Sequence, residues 1–136
     1  MAVKPIPDGW HTVTPRLFAK DPQRLVEFLR HAFGATGSYE HDTPTDVRIG
    51  DSMVMVSGDE FRAATESFLY LYLEDTDAAY RRALEAGATS LEAPQDMFYG
   101  DRRAMVKDPF GNTWQIATHK EDLSLEEIRK RAASRR

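Results

Sequence analysis

No cysteine occurs among the 136 residues, which excludes disulfides, thiolate nucleophiles and thiolate metal sites. Long apolar runs are missing too. The longest, Phe68–Leu73, is far short of the ~20 residues that span a bilayer. The opening MAVKPIPDGW lacks an apolar stretch of signal-peptide length, so a cytoplasmic protein without membrane contact is expected. Gly-rich phosphate loops, a GxSxG elbow and HxH or HExxH spacings are all absent. Positive charge is scarce in the body of the chain. The net charge is −4, yet five of the 18 basic residues fall within Arg129–Arg136. A nucleic-acid surface is therefore not expected, and the basic tail suits the carbonyl end of a terminal helix.

What remains is ordinary globular composition, 41% hydrophobic and 29% charged, in a chain long enough for one domain with a good core. The strongest local signal is DRRAMVKDPFGNTWQIATH, Asp101–His119. Two alternating runs flank Asp108-Pro109-Phe110-Gly111-Asn112, whose Asp, Pro and Gly suit a type I turn closing into a bulge. This predicts a β-hairpin, with Asp108 a turn residue and Trp114 on the face opposite Gln115.

Upstream, Met1–Gly9 reads as an extended arm. Val13–Ala19 reads as a strand with Thr14, Arg16 and Phe18 on one face, and Pro15 confines that end to an edge or bulge. Asp21-Pro22 opens a helix with Leu25, Val26, Phe28, Leu29, Ala32 and Phe33 as its apolar stripe and Gly34 at its end. Tyr39–Arg48 suggests one or two weak strands broken at Thr43-Pro44, followed by a strand over Ser52–Ser57. Phe68–Leu73 is a strand with an aliphatic face (Leu69, Leu71, Leu73) and an aromatic one (Phe68, Tyr70, Tyr72). A second helix runs over Asp75–Glu85 with Gly87 as terminator. A short strand at Ala88–Leu91 and a loop over Glu92–Gly100 precede the hairpin. Ser124-Leu125-Glu126-Glu127 then begins a last helix.

The two halves repeat one order at an offset of about 54 residues: strand, Asp-capped helix ending at Gly, three strands. The expected fold is α+β, two βαβββ modules forming a cup-shaped half-barrel sheet with helices outside, plus a C-terminal helix. It is a single domain, with module one about 10–58, module two about 66–120 and the last helix about 124–134.

This order, with DPFGN before the last strand and RLFAKDPQRLVEFLRHAFGA near the start, resembles the vicinal oxygen chelate superfamily of glyoxalase I, extradiol dioxygenases, fosfomycin-resistance enzymes and bleomycin-binding proteins. WHTVTPRL, RIGDSMVMVS and MFYGDRRAMVKDPFGNTWQIATHKEDLS resemble its PhnB-like subgroup. The resemblance implies a divalent-ion position with one ligand on each of four strands. Here those positions fall on Thr14, Met55, Phe68 and Gln115. Only Gln115 is an ordinary ligand for such an ion, so no cofactor is expected. Gln115 with His119 and His11 is the weak alternative for a rebuilt site.

Arg16 reads either as a clamp for a carboxylate or phosphonate-like group or as a rim ion pair. Tyr70, Tyr72 and Tyr99 read as hydroxyl donors to a ligand or as packing residues. One of Arg102 and Arg103 faces the cup. The ligand-pocket candidates are thus Thr14, Arg16, Phe18, Met55, Phe68, Tyr70, Tyr99 and Gln115. The expected function is binding of a small, partly aromatic or oxyanionic molecule between the modules, a role that includes antibiotic sequestration. The alternatives are a metal-assisted lyase, isomerase or dioxygenase-type enzyme and an interaction subunit. Family resemblance implies a homodimer.

Overall fold

The computed structural model describes residues 2–135. Met1, where the expected arm begins, and Arg136, the last of the basic tail, lie outside the described residues. The chain divides into two compact units, one reaching to Ser67 and the other beginning at Phe68. It is α+β, with two open mixed sheets and, among the described residues, three α-helices.

In unit one, β1 (Arg16–Ala19), α1 (Pro22–Phe33), β2 (Thr45–Ile49) and β3 (Ser52–Gly58) give the sheet order β1-β3-β2, with β1 parallel and β2 antiparallel to β3. Strand alternation buries Leu17, Ala19, Val47, Ile49, Val54 and Val56. The stripe of α1 (Leu25, Val26, Phe28, Leu29, Ala32 and Phe33) is buried as well. Each large apolar side chain so removed from water contributes about 1.5–3 kcal/mol. Asp21 accepts from the Arg24 N–H and Gly34 adopts φ 69° at the helix end, a left-handed conformation that favours glycine.

The first strand is shorter than Val13–Ala19. Pro15 lacks a donor, yet its carbonyl still accepts from Met55 N–H at 3.0 Å. The expected strands over Tyr39–Arg48 reduce to β2. Before it the chain turns through Asp42 at φ 64°, and the counterpart of a further strand survives only as an isolated bridge, Thr36 to Arg48.

Unit two is a complete βαβββ: β4 (Phe68–Tyr72), α2 (Thr76–Glu85), β5 (Thr89–Asp96), β6 (Asp101–Lys107) and β7 (Thr113–His119), in sheet order β4-β7-β6-β5. Helix α2 packs on β5, β6 and β7. Ala104, Val106, Trp114 and Ile116 are fully buried. Glu92–Asp96, expected as loop, continues β5 through two register shifts. Pro94 falls within the second shift, where a missing donor is tolerated.

The DPFGN turn closes as expected, with Gly111 at φ 94°. Asp108 Oδ1 accepts from the N–H groups of Phe110 and Asn112, at 2.8 and 2.9 Å. Its Oδ2 accepts from Asn112 Nδ2 at 3.0 Å and Trp114 Nε1 at 2.8 Å. After β7, α3 (Leu125–Ser134) is capped by Ser124, whose Oγ accepts from Glu127 N–H. No helix among the described residues is long and apolar enough to cross a membrane.

Candidate functional site

The register of unit two fixes which side chains share the sheet face away from α2. Tyr70 pairs with Gln115 and Phe68 with Thr113 across β4 and β7. Gln115 pairs with Met105, Ala117 with Arg103 and His119 with Asp101 across β7 and β6. The open face therefore carries Phe68, Tyr70 and Tyr72 beside Gln115, with Met105, Arg103 and Asp101 in the next row. Phe68 is 66% exposed, Tyr72 64% and Tyr70 38%. An aromatic row left open to water, while the alternate Leu69 and Leu71 are half-buried on the other face, is the informative departure from ordinary burial.

Asp101 organises the polar half of this face. It is 3% exposed, and its backbone is set by Gly100. That residue has φ 101°, and a Cβ there would lie 2.6 Å from the carbonyl of Glu121, so glycine is required. Tyr70 donates to Asp101 Oδ2 at 2.6 Å and Tyr72 donates to the same atom at 2.9 Å. His119 Nδ1 lies 2.9 Å from Oδ1, and its Nε2 lies 2.7 Å from Asp122 Oδ1. On the other side, Tyr70 and Tyr99 hydroxyls are 3.3 Å apart. Arg103 Nη1 donates to Tyr99 at 3.0 Å, and its Nη2 donates to Glu92 at 2.7 Å. Because the Tyr70 proton goes to Asp101, Tyr99 is the donor between the two phenols. One chain of contacts runs from Glu92 to Asp122, and within it Arg103 Nε is buried with no hydrogen-bond partner among the described residues.

The electrostatics follow from these contacts. Burial pushes the Tyr70 hydroxyl up, reinforced by its bonds to Asp101 and Tyr99. Bonding to Asp101, then burial, raises Tyr72. Both phenols are neutral donors. For Asp101, burial pushes the carboxyl up, but the bonds from Tyr70, His119 and Tyr72 outweigh it and hold it below the usual range. Asp101 and then Asp122 raise His119, which favours the imidazolium that donates from both nitrogens.

The sequence-predicted residues separate by unit. Phe68, Tyr70 and Gln115 share the face just described, and Tyr99 reaches it from the β5–β6 loop. His119 ends β7 on the same face, inside the strand. Arg103 is the arginine on this face. Arg102 turns to the helix side, where its Nε donates to Asp77 Oδ1 at 2.8 Å and its Nη1 to Asp96 at 3.2 Å.

In unit one, Arg16 and Met55 are register partners. Arg16 Nε donates to Ser57 Oγ at 3.2 Å, and the guanidinium lies 4.9 Å from the Phe18 ring centre. Thr14 and Met55 border a cavity together with Trp10 and Asp46. His11 Nε2 lies 3.1 Å from the Asp51 carbonyl.

Asp101, Glu92 and Asp122 were missed as members of the network. A signal for Asp101 existed: it follows a glycine and shares parity with Arg103 and Met105, opposite the apolar Ala104 and Val106.

Donor chemistry tests the ion implied by the resemblance. Phe68 offers only carbon and Met55 only a soft thioether, so these positions do not fit a hard divalent ion. The two nitrogens of His119 point to different carboxylates. Among the described residues, no three of His, Asp and Glu are grouped to hold a metal.

Comparison with known proteins gives one family model over residues 10–116, described as the Glyoxalase/Bleomycin resistance protein/Dioxygenase superfamily. An uncharacterised protein of Mycobacterium tuberculosis (strain ATCC 25618 / H37Rv) is 28% identical over 143 residues, covering 90% of this chain and 82% of its own. Among solved structures, TioX from Micromonospora sp. ML1 matches with TM-score 0.70 and 24% identity over 80% of this chain and 98% of that one. A glyoxalase/bleomycin resistance protein/dioxygenase family enzyme from Burkholderia phytofirmans PsJN matches with TM-score 0.67 and 20% identity over 78% and 96%. These two likenesses speak for the fold.

Proposed function

The chain belongs to the glyoxalase/bleomycin resistance protein/dioxygenase superfamily, and we propose that it binds a small, partly aromatic or oxyanionic molecule on the open face of its second sheet without the family's usual metal site. The observation that carries this reading is the exposed row Phe68, Tyr70 and Tyr72 beside Gln115. The side-chain amide of Gln115 makes no hydrogen bond to a described residue. Aromatic rings supply contact area at low entropic cost, and one free amide supplies orientation. Tyr70 and Tyr72 are already committed to Asp101, so they offer rigid ring surfaces rather than free hydroxyls. Sequestration of an antibiotic is one form of the same activity. The quoted strings support a place in the PhnB-like subgroup, and the reading takes the protein to be a cytoplasmic homodimer.

The test is a thermal-shift screen with benzoate, catechol and phenylphosphonate, followed by titration of any stabilising compound. A hit is expected. Phe68→Ala and Gln115→Ala should each weaken it about tenfold, a loss of about 1.4 kcal/mol. A hit indifferent to both substitutions, or no hit at all, would refute this site.

A second reading, a glyoxalase-like lyase or isomerase, is favoured by one observation: His119 is held by a buried carboxylate through Nδ1 while half-exposed at the surface. In that reading His119 exchanges a proton at Nε2 once Asp122 swings away. Turnover with a pH dependence abolished by His119→Gln would support it, and turnover unchanged by that substitution would sink it.

A further inference from the structure

Helix α3 has no buried residue, and its ten residues are too few for a helix that is stable alone in water. Charge holds it in place. Arg131 donates through Nη1 and Nη2 to the two carboxylate oxygens of Glu121, at 3.0 and 3.3 Å, and through Nε to Glu127 at 3.2 Å. Opposite it, the β5–β6 loop is a closed turn. Met97 N–H donates to the Asp101 carbonyl at 2.7 Å, and Gly100 N–H to the Met97 carbonyl at 3.1 Å. The Gly100 carbonyl accepts from the N–H groups of Lys120 and Glu121, which ties the approach to α3 to the same loop. Between loop and helix lies a cavity of about 400 Å³, within the range of about 300–1,000 Å³ that small-molecule sites occupy.

The charges lining this cavity do not cancel. Asp96 is paired with Arg102, and Glu121 with Arg131. Arg135 is left with no carboxylate partner among the described residues. Its guanidinium lies over the Phe98 ring instead, 4.3 Å from the ring centre, and Tyr99 braces that ring edge-on. A guanidinium over an aromatic face keeps its N–H fork in its own plane, where a carboxylate can take two donors at once. Gln95 adds an amide that makes no hydrogen bond to a described residue. Met97 and Phe98 add an apolar wall that adapts to a chain or a ring. A cation would be repelled by Arg135 and would find both carboxylates already paired.

This cavity is distinct from the open face of the sheet. Glu121, Arg131 and Arg135 lie beyond residue 116, where the family match ends. None of the lining residues belongs to the row Phe68, Tyr70 and Tyr72 or to the four implied ion positions. We propose that the cleft between α3 and the β5–β6 loop is a second binding site, which takes a small carboxylate with its charged end on Arg135 and its apolar body against Met97 and Phe98. A ligand that touches both loop and helix also fastens α3, because it binds only the docked form.

The experiment compares 3-phenylpropanoate with its neutral isostere 3-phenylpropanamide on the full-length protein, by calorimetry and by amide hydrogen exchange. The acid should bind at least about tenfold more tightly than the amide. Arg135→Gln should weaken the acid about tenfold while leaving the amide within about twofold. Phe98→Ala should weaken both probes. Arg135 is exposed and Phe98 stands on a loop, so both variants should keep the far-UV circular dichroism of the parent chain. The acid should slow exchange along α3 in the parent chain and not in Arg135→Gln. Phe68→Ala and Gln115→Ala should leave this binding unchanged, which separates it from the site on the open face. Absence of binding, equal affinity for acid and amide, or acid binding untouched by Arg135→Gln and Phe98→Ala would each overturn the proposal. Acid binding lost in Phe68→Ala and Gln115→Ala but kept in Arg135→Gln would overturn it too, and would leave the reading of the open face standing.

Discussion

Two buried carboxylates bracket strand β6, and they do opposite things. Asp108, 4% exposed, accepts from two backbone N–H groups, the Asn112 amide and the Trp114 indole. All of these donors lie within six residues of it in sequence. Asp101, 3% exposed, accepts from Tyr70, Tyr72 and His119, side chains brought from β4 and β7. One carboxylate closes a turn, and the other fixes the working surface of a sheet. The difference teaches that burial and hydrogen bonding alone do not mark a site. What distinguishes Asp101 is that its partners are side chains on the exposed sheet face.

Asp108→Ala should have the largest effect on stability. It strands four donors, two of them backbone, and removing one member of such a buried charged set costs about 3–5 kcal/mol. Urea denaturation measures it, and a loss below about 1 kcal/mol would contradict the turn's structural role. Asp101→Asn should cost less, about 1–3 kcal/mol, because the tyrosine and histidine groups it releases can reach water. Its mark should be local: the Tyr70 and Tyr72 ring resonances shift, while those of the DPFGN turn do not.

The smallest effect is a pH dependence. His119 is raised above its ordinary value by Asp101 and Asp122. Its contribution is therefore fully present below about pH 6.5 and lost as pH rises through the folded-state value. Asp101 is held below its ordinary range, so its contribution is present above about pH 4 and lost as pH falls through its own folded-state value. Thermal melting should be highest between these limits. On the alkaline side, the decline should flatten in His119→Gln. An identical alkaline decline in parent and variant would mean that the His119 contacts add no stability.

The contrast between the two carboxylates also explains what could be read from sequence. The DPFGN turn, the Asp21 and Asp75 helix caps and the inward leucines of β4 are local or periodic signals, and they specify their own partners. The place of Asp101 on the face of Arg103 and Met105 was legible from parity, but its part as organiser was not. Its role depends on the parallel pairing of β4 with β7, which no short-range pattern encodes, and on a glycine fitting closely against the Glu121 carbonyl. The extension of β5 was hidden because EAPQD has loop composition and pairs through register shifts. The packing of the arm's turn at Gly9 on Arg48 was equally non-local, although the glycine and prolines that permit that turn were visible. The gross repeat was plain, but the first copy's missing strand, reduced to the Thr36–Arg48 bridge, was not.

The most direct test of the account is amide NMR of the labelled protein titrated with benzoate, catechol and phenylphosphonate. The account predicts that at least one compound perturbs Phe68–Tyr72, Met105 and Gln115 together, and that Gln115→Ala weakens the response about tenfold. Perturbation confined to the helix side of the sheet, around Arg102, Trp114 and Thr118, or no perturbation by any of the three, would contradict it.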